Sequence, residues 1–163
     1  MLEAHGTSPS AGARAAGQDC SAASTVLAFD YGSRWTGVAV GEREPGVAHP
    51  LTAIEAKTAA ARLAAVEKLV ATWRPAQFVV GLPVTMSGGE HRLAAAVRRF
   101  GADLEQRFAR PVIFVDERLS SADAEAALRD SGRGGRAHKH LIHPVAAQRL
   151  LQDYFDHERA AGR

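Results

Sequence analysis

The sequence predicts an α/β fold in which a mixed five-stranded sheet is flanked by helices. Three observations predict it. Three short strand patterns come first along the chain, helical and strand patterns alternate after them, and carboxylates follow two of the apolar runs. Strands joined by tight turns run antiparallel, whereas strands separated by crossover helices run parallel. We therefore expect three antiparallel strands followed by two parallel ones.

The first three strands are predicted from apolar runs bounded by turn signals. One run covers residues 25–31 and ends at Gly32, a second returns over 36–41, and a third follows over 47–54. Pro50 interrupts the third run, and a proline cannot donate a ladder hydrogen bond. The third strand is therefore expected at an edge of the sheet.

The second half of the chain alternates helices with buried strands. Leu63, Val66 and Leu69 recur at the spacing of an amphipathic helix that stops before Pro75. The later elements are predicted as strands over 77–82 and 111–116, a helix opening at 87–90 and running to 109, a short helix over 120–128, and a last helix with Pro144 at its first position.

The domain organisation is predicted to be simple. Residues 1–24 are mostly small or polar and cannot bury enough area to offset ordering entropy, so they are expected to form a disordered extension. Residues 25–157 form one domain, and 158–163 form a flexible tail. The single cysteine, Cys20, excludes an internal disulfide and a cysteine-rich zinc site.

Composition excludes several classes of function. The chain has no apolar run of about 18 residues, so no membrane-spanning helix is expected, and its N-terminal stretch has no secretory apolar region. The expected compartment is the cytoplasm. The formal net charge of +2 is too mild to establish a nucleic-acid partner by itself.

Acidic residues close two of the predicted strands. Asp30 ends the first, and Asp116 with Glu117 ends the last. In an open α/β sheet, ligands collect beyond the carboxyl ends of the strands, and clustered carboxylates hold Mg²⁺ or Mn²⁺. The alternative for each acid is a solvated turn residue or a helix cap, with Arg118 as an ion-pair partner.

Four blocks of sequence resemble the YqgF family of small ribonuclease H-like nucleases, also described as Holliday junction resolvases or pre-16S ribosomal RNA nucleases. The blocks are FDYGSRWTGVAVG, VVGLPVTMSGGE, VDERLSSADAEAAL and IHPVAAQRLLQDYF, and the resemblance covers essentially residues 25–156. The resemblance implies a ribonuclease H-like fold and metal-dependent phosphodiester hydrolysis with Mg²⁺ or Mn²⁺. The implied partners are precursor ribosomal RNA or branched DNA, together with pre-30S ribosomal particles. The implied process is maturation of the 5′ end of pre-16S RNA, or junction resolution in DNA recombination and repair.

The resemblance also implies the site residues. Asp30 matches the family's first acid, and Glu117, between Asp116 and Arg118, matches the second. The third acid of the family opens the last helix, where this chain has His143. The expected catalytic residues are therefore Asp30, Asp116, Glu117 and His143. The expected metal ligands are Asp30, Glu117 and His143.

His143 leaves three roles open. An imidazole can bind a metal, although it adds no negative charge and suits Mn²⁺ better than Mg²⁺. It can also carry a proton, because its unperturbed pKa is about 6.5. The remaining alternative is that it only marks the start of the helix and the metal site is weakened.

Basic residues upstream of His143 are expected to contact nucleic acid. Arg133, Arg136 and Lys139, with Arg118, would neutralise phosphates near the cut, although a solvated loop is the alternative. Trp35 is expected to pack against the sheet rather than to stack on a base.

Two other functions compete with the nuclease. The Asp-Gly hairpin also resembles the phosphate loop of actin-like and sugar-kinase ATPases, but those proteins use two lobes and this chain has room for one. The second alternative is a non-catalytic RNA-binding factor of ribosome maturation, which the replacement of the family aspartate by His143 favours. The sequence leaves a monomer and a homodimer equally open.

Overall fold

The structure, a computed structural model, describes residues 24–85, 87, 89, 91–117 and 136–162, with the backbone alone over 136–141. It contains five strands and three long helices within these ranges. In chain order they are β1 (Thr25–Tyr31), β2 (Trp35–Glu42), β3 (Val47–Glu55), α1 (Ala59–Trp73), β4 (Gln77–Pro83), α2 (Ala94–Phe108), β5 (Val112–Glu117) and α3 (Arg136–Ala160). The predicted short helix over 120–128 and the predicted extension up to residue 23 lie outside the described residues.

The strands form one mixed sheet in the order β3-β2-β1-β4-β5. The first three strands pair antiparallel, and β4 and β5 add in parallel to β1. This confirms the predicted mixed sheet of three antiparallel strands followed by two parallel ones. β3 lies at an edge, as Pro50 predicts, and its register slips by one residue between the pairs Val38–Thr52 and Ala39–Pro50. The slip leaves Leu51 as the extra residue of a β-bulge.

Each face of the sheet is covered by helices and has its own apolar core. Alternate residues of β1 point to opposite faces. Leu27 and Phe29 pack with residues of α1 and α2 on one face, which we call the α1/α2 face. Val26 and Ala28 pack with residues of α3 on the other, the α3 face. By the same alternation, Asp30 continues along the α3 face.

The first helix begins with a side-chain cap, and the second begins later than predicted. The hydroxyl of Thr58 caps α1 by accepting a hydrogen bond from the N–H of Ala61, and α1 ends at Trp73, before Pro75 as predicted. α2 begins at Ala94, so the predicted start at 87–90 is wrong. Ahead of it, both the N–H and the hydroxyl of Thr85 donate to the carbonyl of Gly89.

The last helix begins at Arg136, eight residues before Pro144, so the prediction that this proline occupies its first position is wrong. A proline inside a helix loses one backbone hydrogen bond. The hydrogen bond that Pro144 cannot donate is lost in a part of α3 where Pro144 itself and Ala147 are buried. α3 also continues to Ala160, beyond the predicted domain boundary at 157. Within the described ranges, none of these helices is apolar over a length that could span a membrane.

Candidate active site

Asp30 lies between two glycines on the α3 face of the sheet. Its neighbour on β2 is Gly37. On β4 the pair Phe29–Val80 places Gly81 at the next position. Gly37, Asp30 and Gly81 therefore form a row across β2, β1 and β4. The buried carboxylate of Asp30 is at its centre, and the residue on each side has no side chain. This leaves room for groups from more distant elements to reach Asp30.

Glu117 uses the space above Gly81. A β-carbon built on Gly81 would lie 2.3 Å from Cδ and 2.5 Å from Oε1 of Glu117, which is closer than such atoms approach. The backbone of Glu117 pairs with Pro83 two positions further along β4, so its side chain folds back across β4. There it shares a hydrogen bond with Asp30. The two strand-end acids predicted to meet therefore do so.

The electrostatic environment of Asp30 has opposing components. Burial raises the pKa of Asp30 above its ordinary value, because the charged form loses hydration. The hydrogen bond from Glu117 and the charge of His143 both lower this pKa, but burial dominates.

His143 reaches the site from the opposite side. A β-carbon on Gly37 would lie 1.9 Å from the carbonyl oxygen of His143, so this glycine allows the backbone of α3 to touch β2. The imidazole ring stacks on half-buried Trp35, with 6.3 Å between ring centroids and 10° between the planes. Trp35 thus packs against a histidine of α3, whereas the sequence predicted packing against the sheet.

Asp116 is not brought to the same place. Phe114, two residues earlier, faces Gly101 of α2, so Asp116 lies on the α1/α2 face and is exposed. Among the described residues, no group of three His, Cys, Asp or Glu side chains is placed to hold a metal ion. Asp30 and Glu117 are thus in contact with His143 nearby, and the metal set of these three residues stays a prediction.

The predicted nucleic-acid contacts are described only in part. Arg118 and Arg133 lie outside the described residues. Arg136 and Lys139 are in the first turns of α3, seven and four residues before His143. Residues at these spacings share one face of a helix. The helix therefore aligns these two positions with the histidine, in place of the predicted loop.

Arg62 is a site residue that the sequence did not reveal. It is buried in α1 and donates hydrogen bonds to the hydroxyl of Tyr31 and to the carbonyls of Gly32, Ser33 and Ala56, at 3.1–3.3 Å. Its guanidinium also lies 4.4 Å from the centre of the Tyr31 ring. It ties α1 to the turn that follows Asp30. The available signal was its position on the apolar stripe, four residues before Val66.

The family model described as "RuvX: Holliday junction resolvase" matches residues 24–157. The chain belongs to this family. A protein of Thiobacillus denitrificans named "Putative pre-16S rRNA nuclease" is 52% identical over 132 residues, covering 81% of this chain and 91% of that protein. A protein of the same name from Methylobacillus flagellatus is 49% identical, covering 80% and 90%. Membership of the RuvX family confirms the YqgF resemblance and the predicted enzyme class, a hydrolase acting on phosphodiester bonds.

A solved structure is also similar to this RuvX-family chain. It is T. thermophilus RuvC in complex with a Holliday junction substrate, with a TM-score of 0.47 and 19% sequence identity, covering 83% of this chain and 96% of that one.

Proposed function

We propose that this RuvX-family chain is a metal-dependent endonuclease that cuts structured nucleic acid and processes the 5′ end of pre-16S ribosomal RNA in the cytoplasm. The observation that carries the proposal is the pair of carboxyl groups of Asp30 and Glu117, joined across Gly81 at the carboxyl end of the sheet. The names of relatives that are 52% and 49% identical over the aligned residues support the choice of substrate.

The carboxyl pair suits a divalent cation. Two acids in contact at a buried position must share a proton or bind a cation, because like charges repel strongly where water is scarce. Mg²⁺ is commonly bound by one or two carboxylates, and waters and substrate phosphates complete its coordination. Asp30 and Glu117 would hold the ion, so a third protein carboxylate is not required. Such an ion supplies Lewis-acid activation of water and stabilises the leaving oxygen.

The residues of the chain itself would perform three tasks. Asp30 and Glu117 would hold the divalent ion at the carboxyl end of the sheet, and this position would determine where the substrate is cut. Trp35 holds the ring of His143 by stacking on it. His143 contributes positive charge near Asp30 and could pass a proton to the departing oxygen, since the pKa of histidine lies near neutrality.

Holliday junction cleavage is the second candidate, and the description of the family model favours it. Both candidates use the same carboxyl pair and differ only in substrate. A non-catalytic RNA-binding role is the third outcome to test, since His143 stands where the family carries an acid.

The test is cleavage of a pre-16S leader RNA and of a four-way DNA junction, each with Mg²⁺ and with Mn²⁺. We expect metal-dependent cutting of the RNA that Asp30→Asn and Glu117→Gln abolish while binding is retained. Asp153→Asn, at an exposed position of α3, is the matched control and should cut normally. Cutting of the junction alone would select the second candidate. Binding of the RNA without cutting of either substrate, under any metal, would reject both nuclease proposals.

A further inference from the structure

We propose that a cleft beside the active site binds a backbone phosphate of the substrate away from the scissile bond. This inference rests on the proposed function and deepens it. The cleft lies between α1, α2 and the β1–β2 turn, has a volume of about 200 Å³, and its lining includes Tyr31, Ser33, Lys57, Arg62, Arg99 and Asp103. We call it the side cleft.

The side cleft lies next to the carboxyl pair but on the other face of the sheet. Tyr31 follows Asp30 directly in β1, and adjacent residues of a strand point to opposite faces. Their α-carbons are about 3.8 Å apart. A nucleic-acid strand that passes over the end of β1 at Asp30 would therefore reach the side cleft within a short length of its backbone.

The rim of the side cleft carries cations that are available to a ligand. Lys57 and Arg99 are exposed, and neither forms an ion pair with any residue in the described part of the chain. Two other exposed arginines are, by contrast, already paired: Arg34 with Glu55 at 2.6 Å, and Arg107 with Glu67 at 2.9 Å. Unpaired cations can meet a phosphate without first breaking a bond within the protein.

The floor of the side cleft adds positive charge. Arg62 is buried, and the hydrogen bonds described above all go to neutral oxygens, so these contacts do not cancel its charge. Together with Lys57 and Arg99 it gives three cations against the carboxylate of Asp103 in the lining. A cleft with low-dielectric walls concentrates this potential and favours an anion.

The aromatic groups of the side cleft are not available to stack on a base. The guanidinium of Arg62 covers the Tyr31 ring at 4.4 Å, and Phe100 packs on the same ring at 5.3 Å between centroids. Base-stacking platforms need an open aromatic face. The chemistry therefore favours the phosphate over the base, and the contact should be independent of sequence.

The experiment measures binding of a fluorescent RNA hairpin in an Asp30→Asn background, so that cleavage plays no part. We expect Lys57→Ala and Arg99→Ala each to weaken binding severalfold at low salt. Each should also reduce the slope of log K against log salt by about 0.7–0.9, the value for one lost phosphate contact. Lys68→Ala removes an exposed lysine further along α1 and should change neither quantity.

Unchanged affinity and unchanged salt slope in the Lys57→Ala/Arg99→Ala double variant would overturn the inference. In the active background, the double variant should raise KM severalfold with kcat within about twofold, because a contact made equally in the ground and transition states affects binding alone. If the wild-type chain cuts neither substrate, and the variants still lose affinity, the proposed function fails and the side cleft stands. If it cuts and the losses are absent, only the side cleft fails.

Discussion

The carboxyl group of Glu117 lies against the α-carbon of Gly81 and shares a hydrogen bond with Asp30 on the far side of that glycine. The two acids belong to β5 and β1, which are separated in the sheet by β4. Their contact therefore depends on a residue of the middle strand that has no side chain.

Gly81→Ala should separate the two acids. The added methyl group would overlap Cδ of Glu117, so that side chain must leave Asp30. We expect nuclease activity and Mn²⁺ affinity to fall about 10–100-fold, the usual cost of disturbing the support of a metal ligand. Isothermal titration with Mn²⁺ measures the affinity. Gly89→Ala is the control, since its β-carbon would meet the Thr85 hydroxyl at an ordinary 3.4 Å. Equal losses in both variants would contradict the argument.

Asp30→Asn should raise the melting temperature at neutral pH while it abolishes activity. Burial raises the pKa of Asp30, so above that raised value the folded state holds a costly charge that the unfolded state hydrates freely. The difference in melting temperature should shrink as pH falls through the raised pKa and vanish below the ordinary value of 3.8, where both states are protonated. Thermal melts from pH 3 to pH 8 test this. A variant less stable than wild type at pH 7 would show that the charge is compensated.

His143→Asp should strengthen the metal site. The carbonyl of residue 143 rests on Gly37, so the backbone at this position is fixed and an aspartate would face the same space. A third carboxylate adds the negative charge that hard cations prefer. We expect severalfold tighter Mg²⁺ binding and higher activity with Mg²⁺ relative to Mn²⁺. His49→Asp, at an exposed position of β3, should leave both unchanged. Loss of metal binding in His143→Asp would instead assign His143 itself as a ligand.

Arg62→Met should loosen the β1–β2 turn. The hydrogen bonds from Arg62 to the carbonyls of Gly32 and Ser33 disappear. Water can take the place of Arg62 at these carbonyls only where the turn is exposed. We expect a loss of about 1–3 kcal/mol in urea unfolding. Hydrogen exchange should also accelerate at the N–H of Ala56, which donates to the carbonyl of Arg34 in the same turn. Lys68→Met, on the exposed side of α1, is the control. Unchanged exchange at Ala56 would mean that the turn holds its shape without Arg62.

The sheet and the acid pair could be predicted because their signals are local. Apolar runs with turn signals mark the strands, and a carboxylate at the end of a buried strand is costly enough to stand out, as Asp30 does. Alternation along β5 also required that Asp116 and Glu117 face opposite sides. It could not say which of them faces Asp30, because the register of β5 against β4 is set by tertiary packing.

The errors arose where tertiary contacts outweigh local preference. Pro144 is a typical first residue of a helix, yet α3 already includes His143 before it, and the backbone of His143 packs on Gly37 of β2. Arg62 was overlooked because an arginine on an amphipathic helix is usually solvated. Three of its four partners are backbone carbonyls, those of Gly32, Ser33 and Ala56, and a carbonyl is present at every residue, so the residue types give no sign of these bonds.

At the end of the sheet away from Asp30 and Glu117, polar side chains of β4 and α3 form hydrogen bonds with one another. Gln77 donates to the hydroxyl of Tyr154 at 2.8 Å, and that hydroxyl donates to Glu158 at 2.6 Å. Ser24 precedes β1 at this end, and five residues of extended strand separate it from Asp30, a span of about 20 Å. A purification handle, dye or surface tether attached ahead of Ser24 therefore joins the molecule at this end of the sheet. Immobilised in this way, the chain would present its carboxyl pair to solution.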